Sequence, residues 1–351
     1  MAQGTLVHLV DRIPQMTAEE MVQALVPPPQ FAHSSFDNYR PDPDHPSQAE
    51  AVELCRGFAA CTGGAQTGRG FLARLRPRRD GQIKAGVYLD GGFGVGKTHL
   101  LAATWHATRG RKYFGTFIEY TSLVGALGYQ NTVKELTGTS LIAIDEFELD
   151  DPGDTMVMSK LLGELVATGT RVAATSNTPP NALGEGRFAA QDFLREITKL
   201  ADVFRTVRID GVDYRRRAVE GRAVVTEGAE VERIAQGRLA AGQTVARDSF
   251  RDLIDHLAKV HPSRYVRLID GVDALVIDDV SELTDQSEAL RFVAFIDRVY
   301  DAQVPIIASG VSLDDIFGGG MMDGGYRKKY LRSVSRLIAS TGAAAESNPA
   351  T

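Results

Sequence analysis

From residue 85 onward, short apolar runs alternate with amphipathic segments of 10–15 residues, the pattern of a parallel sheet covered by helices. The runs predict strands at 85–89, 113–118, 141–144, 171–175 and 205–209, enough for one nucleotide-sized sheet. Upstream, Ser47 reads as the N-cap of a helix reaching Ala60, because Ala51, Leu54, Cys55 and Phe58 fall in i, i+3, i+4, i+7 register. The first fifty residues are broken by Pro27, Pro28, Pro29, Pro41, Pro43 and Pro46, each of which turns its predecessor away from helix. They read as an extended arm laid on a core. Residues 220–245 are charged with few bulky groups, which suggests a hairpin or lid, and a second α/β-like stretch runs over 249–340. The expected plan is an arm over 1–50, a core over 51–219, a C-terminal lid or appended region over 220–342 and a disordered tail over 343–351.

The chemistry enters at GGFGVGKT (91–98), which fits G-x-x-x-x-G-K-[ST] and sits where a strand, AGVYLD, gives way to a helix, THLLAATWHA. Glycines let the backbone close around phosphates and aim its N–H groups at them, at a helix N-terminus that already favours anions. The expected nucleotide cradle is Gly91, Gly92, Phe93, Gly94, Val95, Gly96, Lys97, Thr98 and His99. Lys97 would neutralise the β- and γ-phosphates of ATP, and Thr98 would hold Mg²⁺.

Some fifty residues on, LIAIDEF (141–147) ends an apolar strand in two acids: Asp145 as a second Mg²⁺ holder, and Glu146 to polarise the attacking water. Asp150, Asp151 and Asp154 either continue this acidity or solvate the start of a helix. RVAATSN (171–177) ends a third strand, where Asn177 either orients water near the γ-phosphate or stabilises the turn before Pro179 and Pro180. Together these describe an α/β fold of the P-loop NTPase type, an AAA-type αβα sandwich with a parallel sheet and an additional C-terminal α/β region.

Composition narrows the classes. The 351 residues are 43% hydrophobic and 24% charged, an ordinary globular mixture that rules out wholesale disorder. The net charge of −6 makes a nucleic-acid-coating role depend on local clusters, of which Arg74, Arg76, Arg78 and Arg79, with Arg215, Arg216 and Arg217, are the candidates. Cys55 and Cys61 match no common zinc spacing and are expected as buried free thiols. No run reaches the ~18–20 apolar residues of a membrane span and the start lacks a signal-peptide pattern, so a cytoplasmic location is expected.

These residues, with FDNYRPDPDHPSQ (36–48), IDEFELDD, ATSNTPP (174–180), RIDGVDYR (208–215), ALRFVAFIDRVYD (289–301) and LRSVSRL (331–337), resemble the ZapE/Afg-like ATPases over nearly the whole chain. That family includes a bacterial cell-division factor associated with the FtsZ ring and a mitochondrial protein of eukaryotes. The resemblance implies ATP hydrolysis, a nucleotide-dependent homo-oligomer, and FtsZ or another cell-division protein as partner. It also implies an arginine finger, for which Arg187 in GEGRF is the choice and Arg195 the reserve. The spacing departs from the family here, since Phe193 and Leu194 lie six and seven residues after Arg187. Phe36, Tyr39 and Gln48 would either contact adenine or simply pack on the core, and Arg332 and Arg336 would be a second sensor, solvated surface groups or partners of an acid in a helix-stabilising pair.

Two rival classes share the motifs: a helicase-loader ATPase of the DnaC/IstB kind acting on DNA, and a nucleotide-gated scaffold that does not hydrolyse. Two further features stand apart. LIAIDEFEL (141–149) and ALVIDDVSEL (274–283) echo each other, with a serine 31 residues after the first aspartate in each, at Ser176 and Ser309. This spacing arises by duplication or by convergence of strand–helix–strand units. The glycine-rich stretch 318–325 carries Met321 and Met322, either a mobile loop offering apolar contacts or a plain connection.

Overall fold

A computed structural model of the chain describes residues 4–61, 84–148, 152–179, 202–211 and 222–346. Nine strands occur among them: β1 (Thr5–Val7), β2 (Gly86–Gly91), β3 (Lys112–Thr116), β4 (Leu141–Asp145), β5 (Arg171–Ser176), β6 (Phe204–Ile209), β7 (Thr244–Ser249), β8 (Ala274–Val280) and β9 (Ile306–Gly310). They form two separate parallel sheets, one in each of two structural units.

The first unit, the core, comprises residues 17–27 and 31–214. Its sheet runs β3-β4-β5-β2-β6, with every neighbouring pair parallel. All residues of β2 and β4 are buried, as expected of strands covered on both faces. Alternation assigns their side chains to opposite layers. Leu141 and Ala143 join Val87, Leu89, Leu100 and Leu101 on one face, while Ile142 and Ile144 join Tyr88, Phe147 and Met158 on the other. Each such fully buried Leu or Ile contributes roughly 1.5–3 kcal/mol of transfer free energy. The sandwich and parallel sheet read from the sequence are therefore present. The order also places β5 between the phosphate-loop strand β2 and the acid-bearing strand β4, so three strand ends converge on one edge.

Several boundaries differ from the sequence reading for local reasons. β3 stops at Thr116, not Ile118, because the Thr116 hydroxyl accepts from the Glu119 N–H and begins the helix Phe117–Leu127, with Glu119 returning a bond to Thr116. Ser47 is not a cap either. The helix is Pro46–Ala60, with proline in its first turn, and the Ser47 hydroxyl accepts from the Asp210 N–H at 2.9 Å.

The second unit takes in residues 1–16, 28–30 and 215–351, with sheet order β1-β7-β8-β9, again all parallel. The start of the chain is thus not part of one continuous arm on the core: β1 pairs with β7, Thr5 opposite Thr244. Within 220–245 there is no hairpin among the described residues but a helix, Gly228–Ala240, followed by β7. Its Val231, Ile234, Ala235 and Arg238 are buried in i, i+3, i+4, i+7 register, a stripe diluted to the eye by the charges around it. The other sheet face packs Phe250, Phe292, Phe295 and Tyr330.

The last helix, Arg327–Glu346, extends past the expected tail boundary at 343. Met321 is buried and Met322 packs beside it, so this pair is built into the core of the second unit and does not project from a loop. Cys55 is a buried free thiol as expected, but Cys61 is exposed, because it stands at the C-terminal cap of the helix Pro46–Ala60, beyond its buried face. Among the described residues no helix is long and apolar enough to cross a membrane.

Candidate active site

The phosphate loop joins β2 to the helix Lys97–Ala107, and geometry requires three of its four glycines. Gly94 and Gly96 adopt φ of 67° and 84°, left-handed values that side chains disfavour. A Cβ on Gly91 would run into the Ile209 carbonyl oxygen, whereas one on Gly92 would meet nothing within 4 Å. Val95 turns into the core, and Phe93 is half-buried.

The Lys97 ammonium donates to the carbonyls of Gly91 at 2.9 Å and Gly92 at 2.5 Å and to the side-chain oxygen of Asn177 at 2.8 Å. The next residue, Thr98, donates its hydroxyl to the Asp145 carboxylate at 3.1–3.2 Å. Asp145 also accepts from the Thr175 hydroxyl on β5. Its described polar partners are thus neutral hydroxyls, and no described lysine or arginine is paired with it. Carboxylate and hydroxyl oxygens with no built-in cation are the donor set that suits Mg²⁺, a hard ion bound through oxygen. The residues present therefore fit both groups the fold implies, a nucleotide's phosphates and a divalent cation.

Glu146 has φ of 54°, a conformation that costs a non-glycine residue on the order of 1–2 kcal/mol. The fold holds it there from both sides. Its N–H donates to the Thr175 hydroxyl at 3.1 Å, and the following residue, fully buried Phe147, donates its N–H to the Thr175 carbonyl at 2.7 Å. Asn177 is one of two polar residues at the tip of β5, and they divide their duties. Ser176 stabilises the turn by accepting from the Thr178 N–H at 3.1 Å, leaving the Asn177 side chain directed at Lys97.

The expected adenine-side residues separate. Phe36 is buried in the core, and Gln48 bridges the Asp42 N–H and the Asp210 carbonyl at 2.8 and 2.9 Å. Tyr39 lies on the phosphate loop itself: its hydroxyl donates to the Val95 carbonyl at 2.7 Å, and its ring stands edge-on to His99, centroids 5.5 Å apart. Burial, with a smaller contribution from Cys55, pushes the Tyr39 phenol up to about 12, so it stays a donor at neutral pH. The His99 ring nitrogen Nε2 lies 2.9 Å from the Ser35 carbonyl, a second tie between this segment and the loop's helix.

Sequence reasoning missed Thr175, and also the pair Asp90–Arg208 at 2.9 Å, which ties the end of β2 to β6. Thr175 and Arg208 lie inside segments already singled out, RVAATSN and RIDGVDYR, but the partners they reach on neighbouring strands follow from strand register. Arg187, Arg195, Asp150, Asp151 and the basic clusters at 74–79 and 215–217 lie outside the described residues. Arg332 and Arg336 sit in the second unit, both buried and both bonded to Asp297, so neither is a solvated surface group.

The sequence model of the AFG1-like ATPase family matches residues 16–232 and 226–345. The cell division protein ZapE of Escherichia coli strain K12 is 28% identical over 294 residues, covering 72% of this chain and 76% of that protein. Lactation elevated protein 1 homolog B of Danio rerio is 28% identical over 219 residues, 53% of this chain and 43% of that one. Among solved structures, domain III of the Thermotoga maritima replication initiation protein DnaA aligns with a TM-score of 0.38 at 16% identity, over 52% of this chain and 67% of that one.

Proposed function

This chain belongs to the AFG1-like ATPase family and is an ATP hydrolase, and from that premise we propose that it spends ATP to regulate a protein assembly in bacterial cell division, with FtsZ or another division protein as partner. The observation that carries the catalytic part is the meeting of Lys97, Thr98, Asp145 and Asn177 at one edge of the core sheet, from three segments far apart in sequence. What supports the division role is the similarity to a cell division protein.

In this reading the loop N–H groups and Lys97 bind the β- and γ-phosphates, and Thr98 and Asp145 hold Mg²⁺. When bound, that ion withdraws charge from the phosphoryl oxygens. Glu146, on the residue after Asp145, positions and deprotonates the attacking water, while Asn177 hydrogen-bonds the γ-phosphate in exchange for Lys97. Arg187 of a neighbouring subunit completes the site in a nucleotide-dependent homo-oligomer acting in the cytoplasm, at the division site.

An arginine finger is worth ~10³–10⁵ in turnover, so phosphate release per chain should climb with protein concentration. A flat specific activity across dilutions rejects shared catalysis. For the partner, co-sedimentation with FtsZ polymers should require ATP and be lost in Lys97→Ala. Salt-steep binding to single-stranded DNA with no retention on FtsZ would replace this reading by the helicase-loader one.

A further inference from the structure

Two acidic strand ends in this chain are built alike. In the core, β3 ends at Thr116, which lies opposite Asp145 of β4 and caps the next helix by accepting from the Glu119 N–H. In the second unit, β7 ends at Ser249, which lies opposite Asp278 of β8 and caps the next helix by accepting from the Asp252 N–H. Phenylalanine opens both helices, at Phe117 and Phe250. The offset is 133 residues at each of these positions.

The residue after each aspartate is left-handed, with φ of 54° at Glu146 and 55° at Asp279. Its N–H donates at 3.1 Å to a hydroxyl on the neighbouring strand in both cases, Thr175 of β5 and Ser309 of β9, so the core uses Thr175 and not Ser176, the residue that the sequence echo sets against Ser309. Helices of 16 residues follow, Pro152–Ala167 and Gln286–Asp301. Strand–helix–strand convergence demands the spacing but not a strained acidic residue with the same hydrogen bond. Only three described non-glycine residues have positive φ, and two of them occupy this one place.

The copies differ in what holds the aspartate. Asp145 receives hydroxyls alone, whereas Asp278 is paired with the Arg247 guanidinium through Nε at 2.6 Å and a second nitrogen at 3.4 Å. Arg247 reaches on to Glu232 at 2.5 Å. It lies two residues before Ser249 on β7, where β3 carries the apolar Phe114 two residues before Thr116. The phosphate-loop side differs too. In the core, β5 is flanked by β2, but in the second sheet β9 is the outermost described strand, and the extra strand β1 joins the opposite edge. The sequence contains one G-x-x-x-x-G-K-[ST] motif, in the core.

We infer that the second unit is a duplicate of the acid-bearing half of the ATPase core, in which the Arg247 guanidinium has replaced the divalent cation and closed the site to nucleotide. The chain then binds a single nucleotide, and Arg247 is a positioning residue that keeps the Asp278 edge ordered without metal. The inference takes the nucleotide reading of the core as its reference.

Equilibrium dialysis with Mn²⁺ and a non-hydrolysable ATP analogue tests it. The expected count is one analogue per wild-type chain, one in Asp278→Asn and none in Lys97→Ala. Two per wild-type chain, or one that survives Lys97→Ala and disappears on adding Asp278→Asn, overturns the closed site. No binding by the wild type would instead reject the ATPase reading while agreeing with a closed second unit. Electron paramagnetic resonance of free Mn²⁺ supplies the second arm. Arg247→Met should bind one extra Mn²⁺ without nucleotide, while Arg247→Lys, which keeps the positive charge, should bind no more than the wild type. A folded Arg247→Met protein with no extra Mn²⁺ overturns the replacement of the cation by Arg247.

Discussion

The Lys97 ammonium donates to the Asn177 side-chain oxygen at 2.8 Å across 80 residues of sequence, linking the phosphate loop to the tip of β5 in one hydrogen-bonded unit. An ammonium has three protons, and those of Lys97 face Asn177 and the carbonyls of Gly91 and Gly92. In the proposed mechanism a phosphate at the loop competes with these acceptors for the Lys97 protons, and Asn177 offers its acceptor on a side chain where the glycines offer backbone. In that mechanism this exchange couples ATP occupancy to the position of Asn177.

Asn177→Ala removes a competitor for the Lys97 protons along with a group near the γ-phosphate. ATP should bind at least as tightly as in the wild type, while turnover falls about 10²-fold, the usual effect of deleting one positioned hydrogen-bonding group. Titration with a fluorescent ATP analogue, set beside phosphate release, separates the two quantities. Weakened binding with normal turnover of the bound fraction would contradict the exchange.

Glu146 carries backbone strain as well as its proposed chemistry. Glu146→Gln keeps the strain and should retain ATP while losing at least 10²-fold in hydrolysis. Glu146→Gly relieves ~1–2 kcal/mol of strain against ~0.5–1 kcal/mol of added chain entropy, so it should melt at or slightly above the wild-type temperature and also fail to hydrolyse. Calorimetry of the pair tests this; a sharp drop in melting temperature for Glu146→Gly would mean that the side chain supports the fold.

At the loop, Tyr39→Phe loses the bond to the Val95 carbonyl but keeps the ring, and should cost ~0.5–1.5 kcal/mol of stability with a raised KM for ATP. Gly96→Ala is more severe. Its Cβ would stand 2.5 Å from a Tyr39 ring carbon at a φ of 84°, so nucleotide binding should be lost and should not return in the double variant with Tyr39→Ala, because the backbone strain remains. Recovery of binding in that double variant would show the ring to be the sole obstacle.

In the second unit, burial pushes the Asp297 carboxyl up, but Arg332 and Arg336, helped by Arg298, outweigh it and hold the group below the usual carboxylate range. A folded-state pKa below the unfolded value of about 3.9 means the stabilisation is complete above that value and is lost as pH falls through the folded one. Asp297→Asn should therefore cost ~3–5 kcal/mol at neutral pH, because it leaves two buried guanidiniums facing an amide. The gap from wild type should narrow below about pH 4. Denaturant melts at pH 7 and pH 3 check both statements, and a gap that widens in acid would reverse the sign.

The sequence by itself determined the sheet of the core, the phosphate loop and the acidic pair. These are signalled locally: continuous apolar runs of strand length, glycines at fixed offsets from a lysine, and two acids at the end of a buried strand, all within a few residues of one another. It also raised the echo between 141–149 and 274–283. Charged neighbours hid the buried stripe of Val231, Ile234, Ala235 and Arg238, and prolines made the start of the chain look like one arm, although β1 belongs to the second sheet. Only the tertiary structure decided what depends on register between strands far apart in sequence. Thr175 reaches both Asp145 and the Glu146 N–H, Asn177 accepts from Lys97 while Ser176 accepts from the Thr178 N–H, and Arg332 and Arg336 close on Asp297. The difference between Asp145 and Asp278 is of this kind as well: the two strands read alike, and it is the side chain brought in by the adjacent strand that leaves one acid to hydroxyls and gives the other a guanidinium.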